Sequence, residues 1–356
     1  MYIENPSTEN VLKNLSRQHV NMLLVAEHSE IDIEELISLC NKENIIIAGG
    51  LFPMILYNES SLEKGAILKV IKAKARPFLI KDMSSKFIDE LPEMNENQKS
   101  SLVLLDGLSP DIPNFLHTLY DKYWSNISYV GGGAGSLTLE QKPCIFTNDG
   151  FYENAGLILL SEWSTQLGVK HGWEKIAGPF VANKTNGNKI IELNWRPAFD
   201  VYKEIVEKHT ESRFASSDFF DISKGFPFGI YREGQEDIVR DPIAVEEDGT
   251  LVCVGKVEEN TSLNILKGSN EELIKNASLA ANLAAHENPK DTFVANCISR
   301  VLYLEEDFSK ELKAIKSGLN MDEASLEGIL SIGEVSSDVN GYLEFFNKTT
   351  VVSSFY

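Results

Sequence analysis

A pattern that recurs three times constrains this chain more than any other feature. Each copy has an apolar strand, a helix, a second apolar strand running into glycine, and a further apolar strand. In the first copy the strands fall at 20–26 and 45–47, the latter ending in Gly49 and Gly50, with a last strand at 65–70. Its helix carries Glu34, Leu36, Ile37 and Leu39. Ser29 is placed to cap that helix, with Asp32 in its first turn. The second copy runs from 101–107 through a helix opened by Ser109-Pro110-Asp111 to 127–130, then Gly131-Gly132-Gly133-Ala134-Gly135 and a strand at 155–160. Pro110 sits where a missing N–H costs nothing. The third copy starts at 292–304, passes through a helix with Phe308, Leu312 and Ile315, and reaches 329–332, Gly333-Glu334 and 349–352. A strand–helix–strand unit is a right-handed crossover between parallel strands. The trailing strand adds an antiparallel or mixed edge. Sheets of this kind need cover on their faces. The pattern therefore predicts an α/β fold: two related lobes with mixed β-sheets packed in layers and helices outside.

The region between copies two and three is different. Residues 190–193 read as a strand, and Trp195-Arg196-Pro197 as the start of a helix. Residues 216–260 read as short strands and hairpins, with Asp248-Gly249 a strong two-residue turn. Residues 271–285 form an Ala-rich helix pattern. Residues 81–100 are polar and broken by proline, the pattern of a mobile linker or flap. A boundary is expected near 170–192, dividing the chain into domains at 1–191 and 192–356.

Charge and motifs then exclude several classes. The 356 residues carry 33 Lys and Arg against 53 Asp and Glu, a net charge of −20. Nucleic-acid binding needs clustered cations, and docking on an anionic membrane surface needs them too. No apolar run approaches the ~20 residues that span a bilayer. The N-terminus lacks the basic-then-apolar pattern of a secretory signal, so a cytoplasmic location is expected. Cys40, Cys144, Cys253 and Cys297 form no C-x-x-C pair and read as separately buried, reduced thiols. The six histidines show no i, i+3 or i, i+4 pair and hence no metal pattern.

Several blocks together resemble the FIST family (F-box and intracellular signal transduction). They are Val130-Gly131-Gly132-Gly133-Ala134-Gly135 with Phe146-Thr147-Asn148-Asp149-Gly150, then Gly172-Trp173-Glu174 with Gly178-Pro179. Leu193-Asn194-Trp195-Arg196-Pro197-Ala198 with Tyr202 follows, Asn and Trp standing where the family has Asp and Gly. Phe226-Pro227-Phe228-Gly229, Val239-Arg240-Asp241-Pro242, Cys297-Ile298-Ser299-Arg300, Ser331-Ile332-Gly333-Glu334 and Asn347-Lys348-Thr349 complete the series in family order. The resemblance spans residues 20 to 354. It implies an N-terminal and a C-terminal FIST module acting as a sensory, ligand-binding input, without catalysis of its own. The implied partners are a small-molecule ligand, amino-acid-like or another small carboxylate, and a separately encoded signalling protein such as a histidine kinase or cyclic-dinucleotide enzyme. One branch of the family binds haem and senses nitric oxide, so haem is the cofactor to consider. A Cys-dependent hydrolase is the remaining alternative.

The candidate ligand-binding residues are Arg240, Cys297, Arg300, Gly333, Glu334, Asn347 and Thr349. Arg300, just beyond an apolar strand, has the chemistry to clamp a carboxylate bidentately; the plain alternative is a surface salt bridge to one of the many acids. Glu334 at another strand end suits a ligand ammonium, and with Arg300 it would suit a zwitterion. Asn347 and Thr349 alternate onto one sheet face, or else cap turns. Arg240 beside Pro242 is a further candidate of the Arg300 kind. Cys297 is a core or a pocket thiol, and a nucleophile only with a base beside it. The glycine run 131–135 reads as an anion cradle or, more simply, as a tight turn between strands. His117 reads as a partly buried spacer, and His209 and His286 as helix-end residues; none stands out as a haem ligand.

Overall fold

The computed structural model describes residues 1–233, 236–321, 325–337 and 341–356. It is mixed α/β, with strands in several mixed sheets and helices outside. Each of the three copies builds the centre of one six-stranded sheet. In copy one the lead strand Val20–Ala26 runs parallel to Ile47–Phe52 across the helix Ile33–Glu43, and antiparallel to the closing strand Ala66–Ile71. Copy two repeats this with Ser100–Asp106, helix Ile112–Tyr123, Ser128–Ala134 and Gly156–Ser161. Copy three repeats it with Asp291–Cys297, helix Phe308–Gly318, Glu327–Ser331 and Thr350–Phe355.

The hairpin between second and closing strand leaves its own sheet in every copy. The hairpin of copy one, Met54–Tyr57 and Ser60–Leu62, pairs with the second strand of copy three. Copy two lends Ile145–Thr147 and Gly150–Tyr152 to copy one. Copy three lends Glu334–Ser337 and Leu343–Phe346 to copy two. The exchange is cyclic, so the three sheets close on one another. Their inner faces share one core that includes Met22, Leu24, Leu102, Leu104, Phe293 and Ala295. Their outer faces pack under helices through Leu36 and Ile37, through Phe115 and Leu119, and through Leu312 and Ile315. Burial on both faces is why the lead strands read as unbroken apolar runs.

The glycines belong to this arrangement and form neither a turn nor an anion cradle. Gly49 and Gly131 lie inside second strands, and a Cβ would stand 1.9 Å from the Leu23 carbonyl oxygen in one and 1.7 Å from that of Val103 in the other. Gly328 holds the equivalent place in copy three, 2.1 Å from the Val294 oxygen. Only a residue without Cβ permits that approach of two backbones. Asp32, not Ser29, caps the first helix by accepting from the Glu35 N–H; Ser29 Oγ instead bonds the Gly65 backbone. Residues 81–100 are anchored, not a free flap, because Met83, Phe87 and Leu91 are buried against the second helix.

A fourth sheet stands apart from the three. It runs in the order Glu174–Ala182, Thr261–Lys267, Phe228–Ile230, Ile238–Val245, Leu251–Val254, Lys189–Leu193 and Lys184–Asn186, with the helix Ala198–Val206 on its core. Among the described residues no helix is long and apolar enough to cross a membrane.

Candidate functional site

The strand ends of copy three carry an unusual buried polar cluster. The register makes Ala26, Asp106 and Cys297 equivalent: their N–H groups donate to the carbonyls of Gly65, Ala155 and Thr349 at 3.0, 2.9 and 3.2 Å. By the same register Glu334 takes the place of Ile145 and Ile55, both core residues of the inner faces. Copy three thus places a carboxyl where both other copies have isoleucine, and a thiol where they have Ala26 and Asp106. Glu334 is fully buried and accepts from Ser331 Oγ at 2.8 Å and the Thr349 N–H at 3.2 Å. Burial pushes its carboxyl up to about 8, and the hydrogen bonds from Ser331 and Thr349 offset only part of that. Burial, with the Glu334 carboxylate beside it, pushes Cys297 up to about 12. A thiol held protonated in this way is a poor nucleophile.

Arg300 corrects the sequence expectation. It is fully buried, and all five of its N–H donors are taken by the protein. Nε reaches Glu311 Oε1 at 3.0 Å and Nη2 reaches Glu311 Oε2 at 2.6 Å. Nη1 donates to the carbonyls of His171 (2.5 Å) and Lys348 (3.0 Å), and Nη2 also to that of Leu273 (3.0 Å). The carboxylate that Arg300 clamps bidentately is the chain's own Glu311, so no donor remains for a ligand. Arg240 is engaged through Nε and Nη1: Nε donates to the Lys256 carbonyl at 2.9 Å, and Nη1 to those of Val239 (2.9 Å) and Phe345 (3.3 Å). Burial lowers its guanidinium to about 10. Asn347 Oδ1 lies 3.5 Å from Arg240 Nη1, and Thr349 Oγ1 donates to the Asn347 carbonyl at 2.8 Å. Gly333, at φ +85°, turns the chain where a Cβ would strike the Phe345 ring.

The structure therefore gathers Cys297, Glu334 and Thr349 into one buried group and Arg240 with Asn347 into another. Lys348 sits between these groups and Arg300, with Nζ 3.1 Å from Asp241 Oδ2 and over the Trp173 ring at 4.8 Å. Two of the histidines singled out in the sequence are structural or superficial: His117 is exposed beside Asp121, and His286 stacks on Tyr356.

An open cleft lies on the other side of Arg300, and sequence reasoning did not reach it. It measures about 370 Å³ and is lined by His171 to Lys175 on one wall and by Tyr231, Glu236, Asp237, Asn264, Glu272 and Asn276 among the opposing residues. Two deeply buried side chains on its lining each carry one polar atom without a partner among the described residues. The Trp173 N–H donates to His171 Nδ1 at 2.8 Å, which leaves the ring proton on Nε2 with no acceptor. Glu236 Oε2 lies 3.7 Å from Nε2, beyond a hydrogen bond. Burial lowers the His171 pKa, so the ring is neutral near pH 7. Asn264 Nδ2 donates to Asp237 Oδ2 at 2.6 Å, leaving Asn264 Oδ1 unpartnered. One hint of Asn264 exists in the sequence, as the one amide in the apolar run Leu263-Asn264-Ile265-Leu266. Nothing in spacing marks His171.

A protein of this build is a pseudo-threefold α/β body carrying a smaller sheet domain, with a polar cleft near their junction. Residues 54–196 match the FIST N domain and residues 198–337 the FIST C domain, so the chain belongs to the FIST domain family. FIST domains are associated with signal transduction and sensing. The cleft joins residues 171–175 of the first match to residues 231–276 of the second. No curated protein matches the sequence. Among the described residues no group of three or more His, Cys, Asp or Glu is placed to hold a metal ion.

Proposed function

We propose that this chain is the sensory, small-molecule-binding input of a signalling system, and that its ligand is an amino-acid-like amine seated in the cleft between the two FIST domains. The observation that carries this is the pair of buried, unpartnered groups on the cleft lining, His171 Nε2 and Asn264 Oδ1. Unsatisfied buried polar atoms cost about 1–3 kcal/mol each, and a ligand offering one donor and one acceptor relieves both. An ammonium suits Asn264 Oδ1 beside the Asp237 carboxylate, and an oxygen on the neighbouring carbon suits the His171 N–H. The small-carboxylate form of this reading loses its clamp, because Arg300 is spent on Glu311. Output passes to a separate signalling protein in this reading, as the family resemblance implies.

The test is native mass spectrometry of the freshly purified protein, followed by thermal-shift titration with a panel of amino acids and amines. Binding stabilises the native state by mass action, about 2.7 kcal/mol at a hundredfold excess over Kd. A panel in which no amine moves the melting temperature counts against the reading.

A further inference from the structure

We propose that the cleft selects a net-cationic amine whose second polar group is an uncharged oxygen, such as an amino-acid amide or an amino alcohol, over the zwitterionic amino acid itself. This rests on the ligand-binding reading above and sharpens it. The lining carries Glu174, Glu236, Asp237 and Glu272 against Lys175. Two of those acids are already neutralised from outside the lining, Glu236 by Lys170 at 2.5 Å and Glu272 by Lys275 at 3.0 Å. Asp237 has no cation within ion-pair distance among the described residues; it accepts from the Asn264 amide at 2.6 Å. An uncompensated carboxylate beside a free amide oxygen is a seat for an ammonium, which brings the donors and the charge that both lack.

The other end of the ligand meets a different field. His171 Nε2–H asks for an acceptor, yet it faces Glu236 at 3.7 Å. The cations beside His171 are engaged: Arg300 gives all five donors to the protein, and Lys170 holds Glu236. A ligand carboxylate would take the histidine proton at the cost of repulsion from Glu236. A hydroxyl or amide oxygen takes the same hydrogen bond without that cost.

The experiment is isothermal titration of the full chain with four compounds of one carbon skeleton: L-leucine, L-leucinamide, L-leucinol and 4-methylpentanoate. The amide and the alcohol are expected to bind roughly tenfold or more tightly than leucine, about 1.4 kcal/mol in binding free energy, and 4-methylpentanoate not at all. Leucine binding as tightly as its amide overturns this selectivity and leaves the ligand-binding reading standing. Binding by none of the four overturns both. Asn264→Asp, which adds a second carboxylate beside Asp237, is expected to tighten the amide several-fold; Asn264→Leu is expected to abolish binding. A folded Asn264→Leu protein, checked by its melting transition, that binds leucinamide unchanged places the amine elsewhere and ends the proposal.

Discussion

Arg300 and His171 are bonded to each other, yet they lie on opposite sides of a physical divide. Arg300 Nη1 donates to the His171 carbonyl, and every other donor of that guanidinium is also matched. The His171 ring, a few bonds away, holds an N–H that nothing accepts. The comparison teaches how to separate a structural charge from a binding one. A charge with all its valences filled holds the fold together, whereas a buried polar atom left empty marks a place where something else completes the set. The resemblance pointed to the first kind of residue and the geometry points to the second.

The largest expected effect lies on the filled side. Arg300→Ala strands the Glu311 carboxylate in the core and should lower unfolding free energy by about 3–5 kcal/mol, as read by urea denaturation. Replacing both partners, Arg300→Met with Glu311→Leu, should recover most of that loss. A single variant that costs under ~1 kcal/mol would dissolve the distinction drawn here.

Glu334 comes next. Its carboxyl is raised to about 8 in the folded protein, far above the unfolded value of about 4.3. The native state therefore holds a proton that the unfolded chain has lost. Stability from this group is present below about pH 4.3 and falls as pH rises towards 8, by up to about 1.4 kcal/mol per pH unit. Glu334→Gln should remove that slope and be the more stable protein at pH 8. Parallel pH profiles for the two proteins, measured by denaturation from pH 5 to 8, would take Glu334 out of the account.

The empty side should respond in the opposite sense, with small changes in stability and large ones in binding. His171→Ala removes an unsatisfied N–H but also the acceptor of the Trp173 N–H, so stability should move by about 1 kcal/mol or less. Leucinamide affinity should still fall roughly tenfold, the worth of one hydrogen bond to the ligand. Acid gives the smallest and most specific effect. Burial lowers the His171 pKa below the ordinary value of about 6.5. Protonation, which requires Nδ1 to give up the Trp173 N–H, adds a cation to the cleft that repels the ligand's ammonium, so affinity should weaken as pH falls through that lowered value in the native protein and change less in His171→Ala. Titration calorimetry at pH 5.5 and 7.5 separates the two.

Much of the architecture was legible because burial leaves a mark on composition. The lead strands at 20–26, 100–106 and 291–297 are apolar on both faces, and the helix between each pair shows its stripe. The hairpins were not legible as exchanged elements. A short strand such as 54–57 carries the same pattern whether it returns to its own sheet or to another. The glycines misled for a related reason: Gly131 looks like a turn residue until Val103 is known to lie against it. Glu311 does leave a trace in the sequence, a carboxylate between Phe308, Leu312 and Ile315 on the apolar stripe of a helix, and its partner is the buried Arg300.

The sequence by itself determined the repeat, the α/β class and the family, because these depend on local periodicity and on residue blocks in a fixed order. It also brought forward Cys297, Glu334 and Thr349, which do meet. Tertiary structure alone decided which polar groups are complete. Hydrogen-bond satisfaction depends on partners 11 and 129 residues away for Arg300, and on the lack of one among the described residues for His171 Nε2 and Asn264 Oδ1. No spacing in a chain encodes such distances; they arise only when separate segments are packed into the same few ångströms.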